Sequence, residues 1–158
     1  MKLTIFIILF PIFLLAQNDG TSLSKIKLID LQIKHIDSIA NFIEEEKTNG
    51  AWIALHGTVN GKYYGPLYTN TNTLRDLNKV IRVCYRERDE ERFEDWHIYL
   101  FDGKIIYIEI ISGRPKKKKV KIKQLYFEDE SLIYPKHTSK FTYEDEVNIF
   151  FKAKGLFK

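Results

Sequence analysis

The chain has little of what covalent, metal or cofactor chemistry usually requires. Cys84 is the only cysteine among 158 residues, so no internal disulfide can form even in an oxidising compartment. No Gly-rich phosphate loop is present, and the segment around Asn70 and Asn72 lacks the spacing of a calcium loop. The histidines have no metal-ligand spacing such as His-x-x-x-His; they are His35, His56, His97 and His137. We therefore predict neither a metal nor a cofactor.

Only one long apolar run is present, and it stands at the start of the chain. Two leading residues carry one positive charge, residues 4–15 are apolar except for one Thr and one Pro, and Ala16 precedes a polar stretch. This order is typical of a secretory signal peptide, because a membrane-spanning helix needs ~20 apolar residues. The alternative is a buried N-terminal element of a cytosolic protein. We predict cleavage near Ala16, although Leu14 is larger than the residue preferred there, and a periplasmic or secreted protein that is not integral to the membrane.

A flexible leader is predicted over residues 17–23 and a single domain over residues 24–158. The domain opens with apolar residues at alternating spacings of three and four, which is typical of an amphipathic helix packed on a sheet. These positions are Ile26, Ile29, Ile33, Ile36, Ala40 and Ile43, widened by Ile39 and Phe42. In a rival interpretation residues 26–33 form a short strand and the helix begins at Asp37. A coiled-coil dimer is a further alternative, but the repeat lasts under three heptads. Residues 48–50 are predicted to end the helix.

Beyond Gly50 the apolar period changes to two, which predicts strands. The first predicted element is a hairpin over residues 52–68 that turns at Asn60-Gly61, and a polar connection over residues 69–76 follows it. A strand over residues 77–87 comes next, and then a second hairpin with arms 93–101 and 104–111 that turns at Asp102-Gly103. The last predicted strands cover residues 118–127 and 132–134. Thr142 and Asp145 have the spacing of a capping box. A second helix is therefore predicted, with the apolar positions Tyr143, Val147, Phe150 and Phe151.

Six or seven short strands joined by tight turns predict an α+β fold. We expect one curved antiparallel meander with the long N-terminal helix on one face and the short C-terminal helix on the same face or at an edge. The pattern LFDGKIIYIEI followed by LYFEDESLIY resembles small exported helix-plus-antiparallel-sheet proteins of unknown function from Gram-negative bacteria. That resemblance covers roughly residues 77–135, and its outline is similar to cystatin-like and nuclear-transport-factor-2-like folds. It implies no catalytic residue for this chain.

A basic segment at residues 114–123 places seven positive charges in ten residues: Arg114, Lys116, Lys117, Lys118, Lys119, Lys121 and Lys123. After removal of residues 1–16 the chain would carry a net charge of +3, so everything outside the basic segment sums to −4. The segment can contact acidic lipid headgroups, phosphates or acidic glycans. Alternatively, its lysines only protect an edge strand from pairing. Acidic runs at 44–46, 87–91 and 128–130 could bind it on a second copy, so we predict a monomer or weak dimer.

Two further clusters are candidate sites. Aromatic residues are predicted to line the sheet face away from the helix, where they would bind sugars, apolar ligands or proteins; they are Trp52, Tyr63, Tyr64, Tyr68, Tyr99, Tyr107 and Tyr126. The alternative is that these rings complete the core. His97 and Asp95 share a strand face, where the carboxylate could orient the imidazole of a small hydrolase. Cys84, on the same predicted strand face as Val80, is interpreted as a buried core thiol.

The sequence therefore favours an exported, non-enzymatic binding or interaction protein that uses a tyrosine-rich sheet face or a sheet edge. Its predicted partner is a protein, a glycan or another envelope component, and not nucleic acid, because export removes the usual nucleic-acid partners. An envelope-associated protein held by the basic segment is the main alternative. A hydrolase built around His97 and Asp95 is the weaker one.

Overall fold

A computed structural model describes residues 22–43, 45–52, 57–59, 62–64, 67–117, 119–135 and 141–157. Its elements in chain order are α1 (Ser22–Ile39), β1 (Glu46–Trp52), β2 (Gly57–Val59), β3 (Lys62–Tyr64), β4 (Leu67–Asp76), β5 (Lys79–Arg88), β6 (Phe93–Phe101), β7 (Lys104–Gly113), β8 (Val120–Glu128), β9 (Ser131–Tyr134) and α2 (Tyr143–Gly155). The predicted signal peptide lies outside the described residues. Two residues of the predicted leader, Ser22 and Leu23, belong to α1.

Seven strands form one antiparallel sheet in the order β1-β4-β5-β6-β7-β8-β9, and β2 pairs with β3 in a separate two-stranded sheet. From β4 to β9 every strand pairs with the next one in sequence. This arrangement confirms the predicted α+β fold with an antiparallel meander. The turn at Asp102-Gly103 has positive φ at both residues, as a type I′ hairpin turn requires.

The segment between α1 and β5 departs from the prediction. Residues 69–76 form most of β4 rather than a polar connection, and residues 46–50 form most of β1 rather than a helix end. In β4 the threonines are β-branched and suit a strand, and pairing with β1 and β5 satisfies their backbone groups. Val59 pairs with Lys62, as the predicted hairpin requires, but its Asn60-Gly61 turn lies outside the described residues.

The predicted apolar stripe of α1 is confirmed, and the alternative strand over residues 26–33 is wrong. Within α1, Ile29 and Ile36 are buried, and Ile26 and Ile33 pack against the same cluster. The helix ends at Ile39, earlier than the predicted end at residues 48–50, and Ala40 and Ile43 pack on the cluster from the turn that follows it. Phe42, which was expected to widen the stripe, lies beyond the helix and is 89% exposed.

The two helices lie on opposite faces of the sheet, which corrects the predicted position of the second helix. Ala153 and Ile149 of α2 pack with Ile98 and Leu125 in one cluster, while α1 packs in another. Trp96, Ile98 and Leu100 of β6 and Leu125 and Phe127 of β8 form an apolar face of their own, and α2 covers it. The capping box is as predicted, since Asp145 N–H donates to Thr142 Oγ1 and Thr142 N–H donates to Asp145 Oδ2. Tyr143 and Phe151 are exposed and lie outside the apolar stripe.

A bulge in β5 changes which residues share a face. Leu74 pairs with Arg82, but Arg75 pairs with Val80, so Ile81 is an extra residue. Ile81 consequently packs on the α1 side of the sheet and Val80 on the α2 side. The prediction that Cys84 shares a face with Val80 is therefore wrong, because Cys84 alternates with Arg82 on the α1 side.

Candidate functional site

Three of the tyrosines predicted to form an open binding surface lie beneath α1 instead. Tyr99, Tyr107 and Tyr126 are only 5–8% exposed. They are register partners on adjacent strands, and with the half-exposed Tyr134 they form a tyrosine row across the sheet. Neighbouring ring centroids are 4.8–6.0 Å apart. Their placement on the face away from the helix is thus wrong, because the apolar stripe of α1 needs a broad apolar surface and these rings provide it.

The tyrosine row also anchors α1 through its hydroxyl groups. Tyr126 donates to Asp30 Oδ1 at 3.0 Å, and Tyr99 donates to Asp37 Oδ1 at 3.0 Å. Arg82 donates to the same Asp37 oxygen at 2.6 Å and also pairs with Glu45. Burial and the bond to Asp30 raise the pKa of Tyr126 to about 12. These hydroxyl groups are therefore committed to holding the helix.

The remaining predicted aromatic contacts lie elsewhere. Trp52 ends β1, and Tyr63 and Tyr64 belong to β3, but their side chains lie outside the described part of the chain. Tyr68 is 59% exposed at the far end of the sheet from the tyrosine row. It pairs in register with Arg88, which pairs with Phe93. Sequence reasoning missed this association of Phe93 with Tyr68, because it depends on the registers of three strands.

A polar row crosses the sheet next to the tyrosine row. Its members are register partners on five successive strands: Asn72, Cys84, His97, Glu109 and Gln124. Cys84 Sγ lies 3.7 Å from His97 Nδ1, and Glu109 accepts hydrogen bonds from Gln124 at 3.0 Å and Tyr107 at 3.2 Å. The side chain in contact with His97 is thus the Cys84 thiol on the adjacent strand, while Glu109, its register partner on the other side, is bonded to Gln124 and Tyr107.

The predicted pair of His97 with Asp95 is not formed. Asp95 instead accepts two hydrogen bonds from Arg86, at 2.6 and 3.2 Å. Cys84 is only half-buried, and burial raises the pKa of its thiol, which Arg82 partly offsets. A raised pKa makes a thiolate nucleophile scarcer. Across the described residues no cluster of three His, Cys, Asp or Glu side chains could hold a metal ion.

The basic segment forms the β7–β8 connection and the start of β8. Arg114, Lys116, Lys117 and Lys119 are exposed in the connection, while the side chain of Lys118 lies outside the described residues. Lys121 pairs in register with Ser112 and lies on the α2 side of the sheet. Lys123 lies on that side too, with its Nζ 5.0 Å from the centroid of the Phe141 ring. The register therefore places the predicted anion contacts around one end of the sheet.

A groove at this end brings the basic segment together with residues that sequence reasoning did not associate with it. We call it the basic groove; its volume is ≈ 730 Å³ and its lining is Arg92, Phe93, Glu94, Ser112, Gly113, Arg114, Lys117, Lys119, Val120 and Lys121. Phe93 lies against Gly113, where a Cβ atom would approach the ring to 2.9 Å. An adjoining groove of ≈ 570 Å³ is lined by Tyr68, Arg88, Asp89, Glu90, Pro115 and Lys116. Residues of the β7–β8 connection line both grooves.

Apart from Arg92, which pairs with Asp89, the cations of the basic groove differ from those at the opposite end of the sheet in their ion pairing. Lys79 pairs with Asp102 at 3.0 Å, and Lys104 pairs with Asp129 at 2.7 Å. In the described part of the chain no carboxylate forms an ion pair with Arg114, Lys117, Lys119 or Lys121. The groove can therefore offer several uncompensated positive charges to one ligand.

None of the described helices has the length and apolar character needed to cross a membrane. No protein-family model matches the chain, and no curated protein or solved structure is significantly similar to it.

Proposed function

We propose that this protein is a non-enzymatic binding protein that holds an anionic partner in the basic groove. The observation that carries the proposal is the set of exposed cations around that groove without an ion-pair partner in the described chain. Several like charges that face one concavity reinforce each other's potential and raise the local concentration of anions. Because the chain outside residues 114–123 is net negative, the attraction is confined to this end of the molecule.

The predicted signal peptide bears on the kind of partner. An exported protein meets acidic glycans, lipid headgroups and lipopolysaccharide phosphates rather than nucleic acid. We therefore place the partner among envelope or extracellular anions. Association is expected to be fast and sensitive to salt, since exposed charges are screened within about 8 Å at physiological ionic strength.

The tyrosine-rich sheet face is less suited to this role than the sequence suggested, because burial of the tyrosine row leaves its rings inaccessible. Trp52, Tyr64 and Tyr68 stay predicted ligand contacts. A sheet edge is the other predicted contact; at the edge strand β1 the exposed residues include Glu46, Lys47 and Asn49. Charged edge residues commonly prevent strand addition, so we favour the basic groove over the edge.

Retention on phosphocellulose tests the proposal. The triple variant K117Q/K119Q/K121Q removes three groove charges, and K27Q/K34Q/K47Q removes three exposed charges elsewhere, so the two proteins have equal net charge. We expect the groove variant to elute at clearly lower salt than the wild-type protein and the control variant to elute close to it. Equal elution of the two variants would show that only net charge matters and would overturn the proposal.

A further inference from the structure

Phe93 provides an apolar floor for the basic groove. Its ring is half-buried and lies against Gly113 on the neighbouring strand, where an added Cβ would be 2.9 Å from Cε1 and 3.0 Å from Cζ. Glycine at position 113 therefore allows the ring to lie across β7. An aromatic face that is partly open to solvent stacks on the apolar face of a ring-shaped ligand.

The charges around this ring favour an acidic ligand, because the groove's own carboxylate is already engaged. Glu94 accepts from Trp96 Nε1 at 3.1 Å and from Lys152 Nζ at 3.3 Å. Arg92 is likewise paired with Asp89 at 3.1 Å. The cations left to bind ligand acids are Arg114, Lys117, Lys119 and Lys121.

The shape of this end of the sheet favours a chain over a single small anion or a flat surface. The basic groove has a volume within the range of ligand pockets, about 300–1,000 Å³. The adjoining groove also combines an aromatic ring with cations, since Tyr68 lies there with Arg88 and Lys116; its lining includes Glu90 and Asp89, and Asp89 is paired with Arg92. Tyr68 and Phe93 are two strands apart in register, so their backbones are about 10 Å apart. A ligand with rings and acids repeated along its length can occupy both grooves.

We propose that the basic groove binds a segment of an acidic polysaccharide, with a sugar ring against Phe93 and its acid groups on Lys117 and Lys119 of the β7–β8 connection. This inference rests on the proposed anion-binding function and assigns its ligand class. Single-stranded nucleic acid also combines rings with negative charge and binds basic grooves with aromatic floors. The predicted export signal favours the polysaccharide.

The test measures binding of oligogalacturonate, a uronic acid chain, to the purified protein by titration calorimetry. The charge variant K117Q/K119Q/K121Q is expected to lose about tenfold in affinity at low salt, and K27Q/K34Q/K47Q to keep it. F93L keeps an apolar side chain but removes the aromatic ring, and its affinity for oligogalacturonate is expected to fall about fivefold. F101L is its matched control, because the exposed Phe101 lies at the opposite end of the same strand. The methyl-esterified, uncharged oligosaccharide should not bind.

The outcomes separate this inference from the proposed function. Parallel titrations use phosphatidylglycerol vesicles and a single-stranded DNA oligonucleotide. Vesicle binding that depends on the groove lysines but not on Phe93, without oligogalacturonate binding, would overturn the polysaccharide inference and leave the anion-binding function standing. Tighter binding of the oligonucleotide than of oligogalacturonate would overturn it in favour of nucleic acid. Failure to bind all three probes would overturn both proposals.

Discussion

The Tyr99 hydroxyl on β6 donates a 3.0 Å hydrogen bond to the Asp37 carboxylate on α1, 62 residues earlier in the chain. Arg82 donates to the same carboxylate oxygen at 2.6 Å, so one aspartate receives two donors from two neighbouring strands. This contact fixes how α1 lies on the sheet and explains why the tyrosine row is a support for the helix rather than a binding surface.

Replacement of Tyr99 by Phe tests this support. Y99F leaves the ring in place and removes the hydroxyl, so the free energy of unfolding should fall by about 1.5–3 kcal/mol, as for a hydrogen bond to a charged group. Urea unfolding followed by circular dichroism measures the change. Y134F is the control, since the Tyr134 hydroxyl forms no hydrogen bond among the described residues and its side chain is half-exposed. An equal effect of the two substitutions would contradict the anchoring role of Tyr99.

Alkaline pH should loosen α1 through Tyr126. Its folded pKa is raised to about 12, mainly by burial and then by its bond to Asp30, whereas an unfolded tyrosine ionises near pH 10. The stabilising contribution is complete below about pH 10 and is lost as the pH rises through about 12. Phenolate absorbance compared between the wild-type protein and Y126F should show one group that titrates in this upper range. Ionisation of that group near pH 10 would contradict the buried, hydrogen-bonded position.

The capping box of α2 should make stability depend on pH at the acidic end. Hydrogen bonds from the Thr142 backbone and side chain lower the pKa of Asp145 below its ordinary value. The carboxylate therefore stabilises the fold above the pKa of an unfolded aspartate, about 3.9, and this contribution is lost as the pH falls through the lowered folded value.

Two substitutions measure that cap. T142A should lower the free energy of unfolding at pH 7 by about 1 kcal/mol, because the helix loses its N-cap side chain. D145N should lower the free energy of unfolding at pH 7, and its difference in this free energy from the wild-type protein should shrink as the pH falls below the folded pKa of Asp145. If that difference in unfolding free energy stays constant down to the lowest pH, an ionised Asp145 in the cap is ruled out.

Cys84 should behave as a half-buried thiol rather than as an activated nucleophile. Burial raises its pKa, so less thiolate is present at pH 7 than in the unfolded chain, and the folded protein should react more slowly with a disulfide reagent. The reaction of the chain unfolded in urea is the reference. If the folded protein is labelled faster than the unfolded chain, and the H97A substitution abolishes this difference, then His97 activates the thiol. That result would support the hydrolase hypothesis.

Local patterns predicted most of the fold. The hairpin between Phe93 and Ile111 and the stripe of α1 follow from periodicity and turn residues, which act over short distances in sequence. Residues 69–76 were missed because a strand of alternating threonine and asparagine is stabilised by β1 and β5 on either side, not by its own apolar pattern. The position of α2 depends on which sheet face α1 leaves uncovered.

The site was predicted in part. The basic segment was evident as a charge run, but its association with Phe93 and Gly113 depends on strand register. The contact between Cys84 and His97 also follows from register, and the bulge at Ile81 determines the sheet face of Cys84 relative to Val80. Register is set by the whole sheet, so single-strand periodicity does not reveal it.

The most direct test of the anion-binding role is a titration of the isotope-labelled protein with tripolyphosphate, followed by backbone amide chemical shifts. We predict that the shift changes concentrate at residues 92–93, 112–114, 116–117 and 119–121, around the basic groove. The exposed cations Lys27, Lys34 and Lys47 provide the internal comparison. Changes of equal size around those three lysines, or no changes at the basic groove, would contradict the central claim that this end of the sheet is an anion-binding site.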